Sequence, residues 1–115
     1  MWNIIFYEKE SGAIPVREFL DALPANHHAK ALRDIDVLEK YGTALTMPHI
    51  RHIQGKLWEL RIKCAGDISR IFYFVPIGND IVLLHGFVKK TQRTPGREIT
   101  IANNYLADYQ KRCLL

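Results

Sequence analysis

The chain has 115 residues, 48% of them hydrophobic and 24% charged, with a formal net charge of +4 at pH 7. That length fits one core, so a single domain spanning residues 1–115 is expected, and the composition excludes a disordered chain. No apolar run is long enough for a membrane span, and the strand-like opening followed by acids leads to the expectation of no secretory signal. Cys64 and Cys113 have neither metal nor disulfide spacing, so a reduced, cytoplasmic protein is expected.

The elements read clearly in chain order. Met1–Tyr7 alternates Trp2, Ile4 and Phe6 against Asn3, Ile5 and Tyr7 and predicts a strand. After the Ser11-Gly12 turn, Pro15 starts a short helix running to about Ala22. Pro24 opens a second helix with a stripe at Ala31, Leu32, Ile35, Leu38 and Tyr41, and Gly42 stops it; His27 and His28 at its start are read as surface residues. A loop through Met47-Pro48 leads to three strands of an antiparallel meander, with turns at Ala65–Asp67 and Pro76–Asp80. A final helix starts at Pro95, with Thr94 as cap and a stripe at Ile99, Ala102, Leu106, Tyr109 and Cys113. The order β-α-α-β-β-β-α, with the meander and the first strand in one sheet, is α+β.

The meander carries the chemistry. Strand side chains alternate between two faces. Trp58, Leu60, Ile62 and Cys64 therefore share one face and Glu59, Arg61 and Lys63 the other; Ile71, Tyr73 and Val75 oppose Arg70 and Phe72. In the last strand Val82, Leu84 and Val88 oppose Leu83, His85 and Phe87, with Lys89 next in phase. One face is core; the other gathers cations, imidazole and aromatic rings into a basic surface. Residues 49–97 hold nine of the 16 Lys/Arg and three of the 12 Asp/Glu, an excess of six; the remainder has seven against nine. Such asymmetry suits a polyanion, although solvated faces carry charge too.

Arg61 and Arg70 on one face of adjacent strands could grip a phosphate, because a guanidinium fork matches its oxygens and stays charged. The plainer reading pairs one of them with Glu59 on a solvated sheet. Lys89, Lys90 and Arg93 precede a helix N-terminus, a ready anion site or simply a basic connector. His85 could transfer protons or merely pack, and Lys90 could act as a base if neighbouring cations lowered its pKa. Phe72 and Phe87 could stack bases or pack. No metal motif appears, and no cofactor is implied. The inventory is compatible with metal-free cleavage of RNA, whose own 2′-hydroxyl is the nucleophile.

The segments GKLWELRI, RIFYF, LLHGFVKKTQRTP and the REI at the start of the last helix resemble the phage-derived, HigB-type toxins of the RelE/ParE superfamily. The resemblance spans nearly the whole chain. It implies a compact α+β toxin of a toxin–antitoxin system, an endoribonuclease that cuts mRNA on the ribosome. A cognate helix-turn-helix antitoxin would be its partner. It also places the superfamily's basic residues at Arg61, Arg70, Lys89 and Lys90. The tyrosine or histidine that many such nucleases carry near the C-terminus has no clear counterpart, since Tyr105 and Tyr109 lie on the final helix. Proton transfer is left to His85 or Lys90, and Lys56, Lys63, Lys89 and Arg93 are expected to hold flanking RNA. A gyrase inhibitor that cuts nothing, and a non-catalytic RNA- or ribosome-binding module, are the alternatives on the same fold.

Overall fold

The computed structural model describes residues 1–89 and 95–114. Its elements are β1 (Asn3–Phe6), α1 (Pro15–Asp21), α2 (Ala25–Tyr41), β2 (Ile50–Gln54), β3 (Leu57–Cys64), β4 (Asp67–Phe74), β5 (Asp80–Lys89) and α3 (Gly96–Cys113), with a single 3-10 turn at Gly42–Ala44. Five strands form one sheet in the order β1-β5-β4-β3-β2. β1 runs parallel to β5, and the other neighbours are antiparallel. The meander therefore has four strands, not three: β2, in the segment read as a loop and its exit, pairs Ile50 with Leu60 and Arg51 with Glu59.

Two cores lie on the two faces of the sheet. α1 and α2 cover one, where Val16, Leu20, Ala31, Ile35 and Leu38 meet Leu60, Ile62, Ile71, Tyr73, Ile81 and Leu83. α3 covers part of the other, where Ala102 with Ile99, Tyr105, Leu106 and Tyr109 meets Leu57, Phe72, Phe74, Val82 and Leu84. The second face is thus half core, because the final helix needs somewhere to bury its apolar stripe. That stripe includes Tyr105 and ends before Cys113, which is exposed. Phe72 is fully buried and belongs to this core, not to a base-stacking surface.

Two readings of α2 need correction. Leu32 and Tyr41 are exposed, and His27 is buried with its Nε2 2.9 Å from Ser69 Oγ. Positions 27, 31, 35 and 38 follow the helical repeat, so the buried stripe starts one turn earlier than the apolar residues do. His28 also holds a place, donating from Nδ1 to the Leu20 carbonyl at 2.7 Å. Gly42 closes α2 at φ +51°; a Cβ there would fall 2.0 Å from the Trp2 indole, so glycine alone lets Trp2, just before β1, lie over the helix end.

A bulge sets the site. His85 pairs with Phe72 and Leu83 with Tyr73, so Leu84 is an extra residue in β5. Beyond it the alternation reverses: Val82 and Leu84 join His85 and Phe87 on the α3 side, while Leu83 faces α1 and α2. Simple alternation had put Val82 and Leu84 opposite His85.

Candidate functional site

The register arranges the α3 side of the sheet in rows. One row crosses Arg51, Glu59, Phe72 and His85 on β2, β3, β4 and β5. The next pairs Arg61 with Arg70 and Arg70 with Phe87; a third joins Lys63, Ile68 and Lys89. Strands are about 4.8 Å apart and same-face residues about 7 Å apart along a strand. Going toward the Lys63 end, the face changes from apolar core to a cluster of cations.

Arg61 and Arg70 are direct cross-strand neighbours, an arrangement that like charges oppose unless something compensates. The compensation is Glu59. Its carboxylate is fully buried, with Oε1 3.3 Å from Arg70 Nε; Arg70 itself is only 3% exposed. This is a charge contact without hydrogen-bond alignment. Among the described residues, neither Glu59 oxygen, nor Arg70 Nε and Nη1, nor Arg61 Nε has a hydrogen-bond partner. Burial lowers the Arg70 pKa, Glu59 opposes that shift, and Arg61 and Arg51 reinforce it. Lys89 is lowered in the same way, first by burial and then by Arg70. The cations are close enough to feel one another, and one carboxylate serves them. The three guanidinium nitrogens without hydrogen-bond partners are themselves buried, so an anion would have to reach the pair from the more open edge of Arg61.

His85 occupies the adjoining row. Its Nε2 lies 3.3 Å from both carboxylate oxygens of Glu98, near the start of α3, and its ring stacks at 6.0 Å on Phe87 and meets Tyr105 edge-on at 6.1 Å. β1 ends opposite Leu83, and past that point a groove of about 440 Å³ opens, lined by Lys9, Glu18, Phe19, His85, Gly86 and Tyr105 among others. Gly86 is required there, since a Cβ would meet the Phe19 ring at 2.4 Å. His85 is thus both oriented by a carboxylate and open to a groove, as a proton-transfer group needs to be.

A family model described as phage-derived protein Gp49-like (DUF891) matches residues 18–107, which is 90 of the 115 residues and takes in the three rows and His85. The chain belongs to the Gp49-like family. That family is a RelE/ParE-like toxin family. No curated protein matches the chain.

In this Gp49-like chain the predicted site residues do not all converge. Arg61, Arg70, Lys63 and Lys89 share one end of one face, and His85 lies beside them. Lys56 is in the turn between β2 and β3, at the other end of β3. Lys90, Arg93 and Thr94 lie outside the described residues, and the cap position of α3, expected at Thr94, falls on Pro95. Arg70 sits beneath the surface, so Arg61, half-buried, offers the more open edge. Sequence reasoning weighed Glu59 only as a partner on a solvated face and gave Glu98 and Arg51 no place in the site. The signal for Glu59 was its phase with Arg61; the burial depended on a face being closed by distant elements.

Proposed function

We propose that this Gp49-like protein is the toxin of a type II toxin–antitoxin pair, of HigB type, and acts in the cytoplasm as a metal-free endoribonuclease on mRNA, during translation on the ribosome. The observation that carries this reading is the facing pair Arg61 and Arg70, flanked by Lys63 and Lys89 at one end of the sheet face. A phosphodiester of RNA is a fitting ligand, and its transition state carries more charge on the non-bridging oxygens than its ground state does. Donors fixed beforehand therefore favour the transition state.

In the reaction so supported, the 2′-oxygen attacks the adjacent phosphorus while the 5′-oxygen leaves. The 2′-hydroxyl loses its proton to a base, and the departing 5′-oxygen gains one from an acid. The products are a 2′,3′-cyclic phosphate and a 5′-hydroxyl end. His85, with its Nε2 against the Glu98 carboxylate, would exchange one of those protons, and Lys90 is the other candidate. Lys63, Lys89 and Arg93 would track the flanking backbone, a contribution that weakens with salt. A helix-turn-helix antitoxin encoded beside the gene is the expected protein partner.

The test is tightly induced expression in bacteria, wild type beside an Arg61→Ala/Arg70→Ala variant, with mapping of new 5′-hydroxyl RNA ends. Growth arrest with new ends inside translated frames, both absent in the folded variant, is the expected result. Arrest with intact transcripts would overturn the nuclease and point to gyrase.

A further inference from the structure

We infer that Glu59 is the positioning residue of this site: its carboxylate holds the Arg70 guanidinium by the Nε edge so that Arg70 and Arg61 address one phosphate together. The inference rests on the nuclease reading of the arginines and adds to it the group that orients them.

Glu59 is 0% exposed, and a carboxylate taken out of water loses several kcal/mol of hydration. An apolar residue would fill the same place beside Phe72 more cheaply, and for stability alone a buried ion pair is often worth less than a hydrophobic replacement. The placement does have a consequence for the arginines. Glu59 stands opposite Arg51 on β2, two residues from Arg61 on β3, and one row from Arg70 on β4, so among the described residues it is the one anion set among three guanidinium groups. It touches Arg70 at Nε, and Nη1 beside it is buried without a hydrogen-bond partner among the described residues, so the guanidinium is held in place with only its remaining edge toward the surface. An arginine held at one nitrogen loses rotamer freedom before the phosphate arrives, which lowers the entropy cost of forming the next contact. It also offsets the repulsion that would drive Arg61 and Arg70 apart.

Positioning predicts coupling, and a merely structural carboxylate does not. Single-turnover cleavage of a short mRNA bound in programmed ribosomes, and affinity for the same complex with the mRNA blocked by 2′-O-methylation, should be measured for wild type, Glu59→Gln, Arg70→Ala, the double variant and Arg61→Ala. Glu59→Gln is expected to slow cleavage at least about tenfold while changing affinity by no more than about twofold. In the Arg70→Ala background the same change should cost nothing further, because the group it orients is gone. Full activity in Glu59→Gln, or an equal loss with and without Arg70, would overturn the inference. If Arg61→Ala and Arg70→Ala are themselves fully active, the nuclease reading of the arginines fails as well; if they are inactive and Glu59→Gln is not, only Glu59 is wrong.

Should Glu59→Gln unfold, Glu59→Asp keeps the charge and draws it back by one methylene, and a partial loss that vanishes without Arg70 is the expected result. The wild type supplies an independent readout by nitrogen NMR. An Arg70 Nε–H protected from exchange, and shifted when the blocked RNA is added, supports the positioning. A freely exchanging Arg70 Nε–H would contradict it.

Discussion

The face of the sheet under α1 and α2 is apolar from Ile50 and Leu60 through Ile71 to Ile81 and Leu83, with the buried His27–Ser69 hydrogen bond as its neutral polar contact, whereas the face under α3 changes character along the strands. Its first half, at Leu57, Phe74 and Val82, is core; its second half holds Glu59, Arg61, Arg70, Lys63 and Lys89. One face carries no charge in its core. The other gives up packing for charges that repel one another, which is the local conflict expected where function opposes stability. The comparison teaches that stability and activity should separate by face.

The largest separation should come from the closed face. Leu38 is fully buried there, and Leu38→Ala should cost about 2–5 kcal/mol through lost burial and a residual cavity. Thermal melting would show it, with growth arrest lost only in proportion to the unfolded fraction. A loss under about 1 kcal/mol would mean that this core collapses around the gap.

On the open face the opposite is expected. Arg61→Ala should reduce RNA cleavage by about 10²–10³-fold, the range for removing one donor to a transition-state oxyanion. It should leave the melting temperature unchanged or raise it, since Arg61 faces Arg70 directly and its Nε has no partner among the described residues. A destabilised Arg61→Ala would show that the arginine serves packing instead. A finer division lies within β3 and its turn. Lys63→Ala should flatten the salt dependence of RNA affinity by about 0.7 in log–log slope, the value for one phosphate contact on a single strand. Lys56→Ala, at the far end of the strand, should leave the slope as it is.

How much of this was legible follows the range of the signals. β1, α1, α2 and α3 could be read from alternation, helical spacing and the punctuation at Pro15, Pro24, Gly42 and Pro95, because those signals lie within a few residues of one another. The pairing of faces in β3 and β4 was equally local, and it put Arg61 and Arg70 on one side. β2 escaped because IRHIQ has little alternation of its own and is recognised only by its pairing with β3. The Leu84 bulge belongs to two strands, so no reading of β5 by itself could find it. The burial of His27 and Glu59 came from partners 42 residues away and from closure of the α3 face, respectively. The arginines could be seen in the sequence; the carboxylate beneath them required the fold.

The smallest expected effect concerns how the far end of α3 is tied to the β1 end of the sheet. Tyr7 donates to Asp108 Oδ2 at 2.5 Å, while Arg112 donates to Asp108 at 2.7 Å and to the Glu8 carbonyl at 2.7 Å. Arg112, then Tyr7, hold the Asp108 carboxyl down at about 2, from an ordinary 3.8. Burial, with the bond to Asp108, pushes the Tyr7 phenol up to about 12, so it stays a donor throughout the working range. A carboxylate whose folded pKa is depressed adds stability above its unfolded value and loses it as pH falls through the folded one. For Asp108 that window runs from about pH 4 down to about pH 2. Asp108→Asn should therefore lower the melting temperature slightly at pH 7 and flatten the acid limb below pH 4, with cleavage at neutral pH unaffected because this tether lies away from the arginine rows. An acid limb identical to wild type would place the stability loss in other carboxylates, and a change in cleavage would show that the tether of α3 reaches His85 through Tyr105, which stacks on Tyr7 at 5.0 Å.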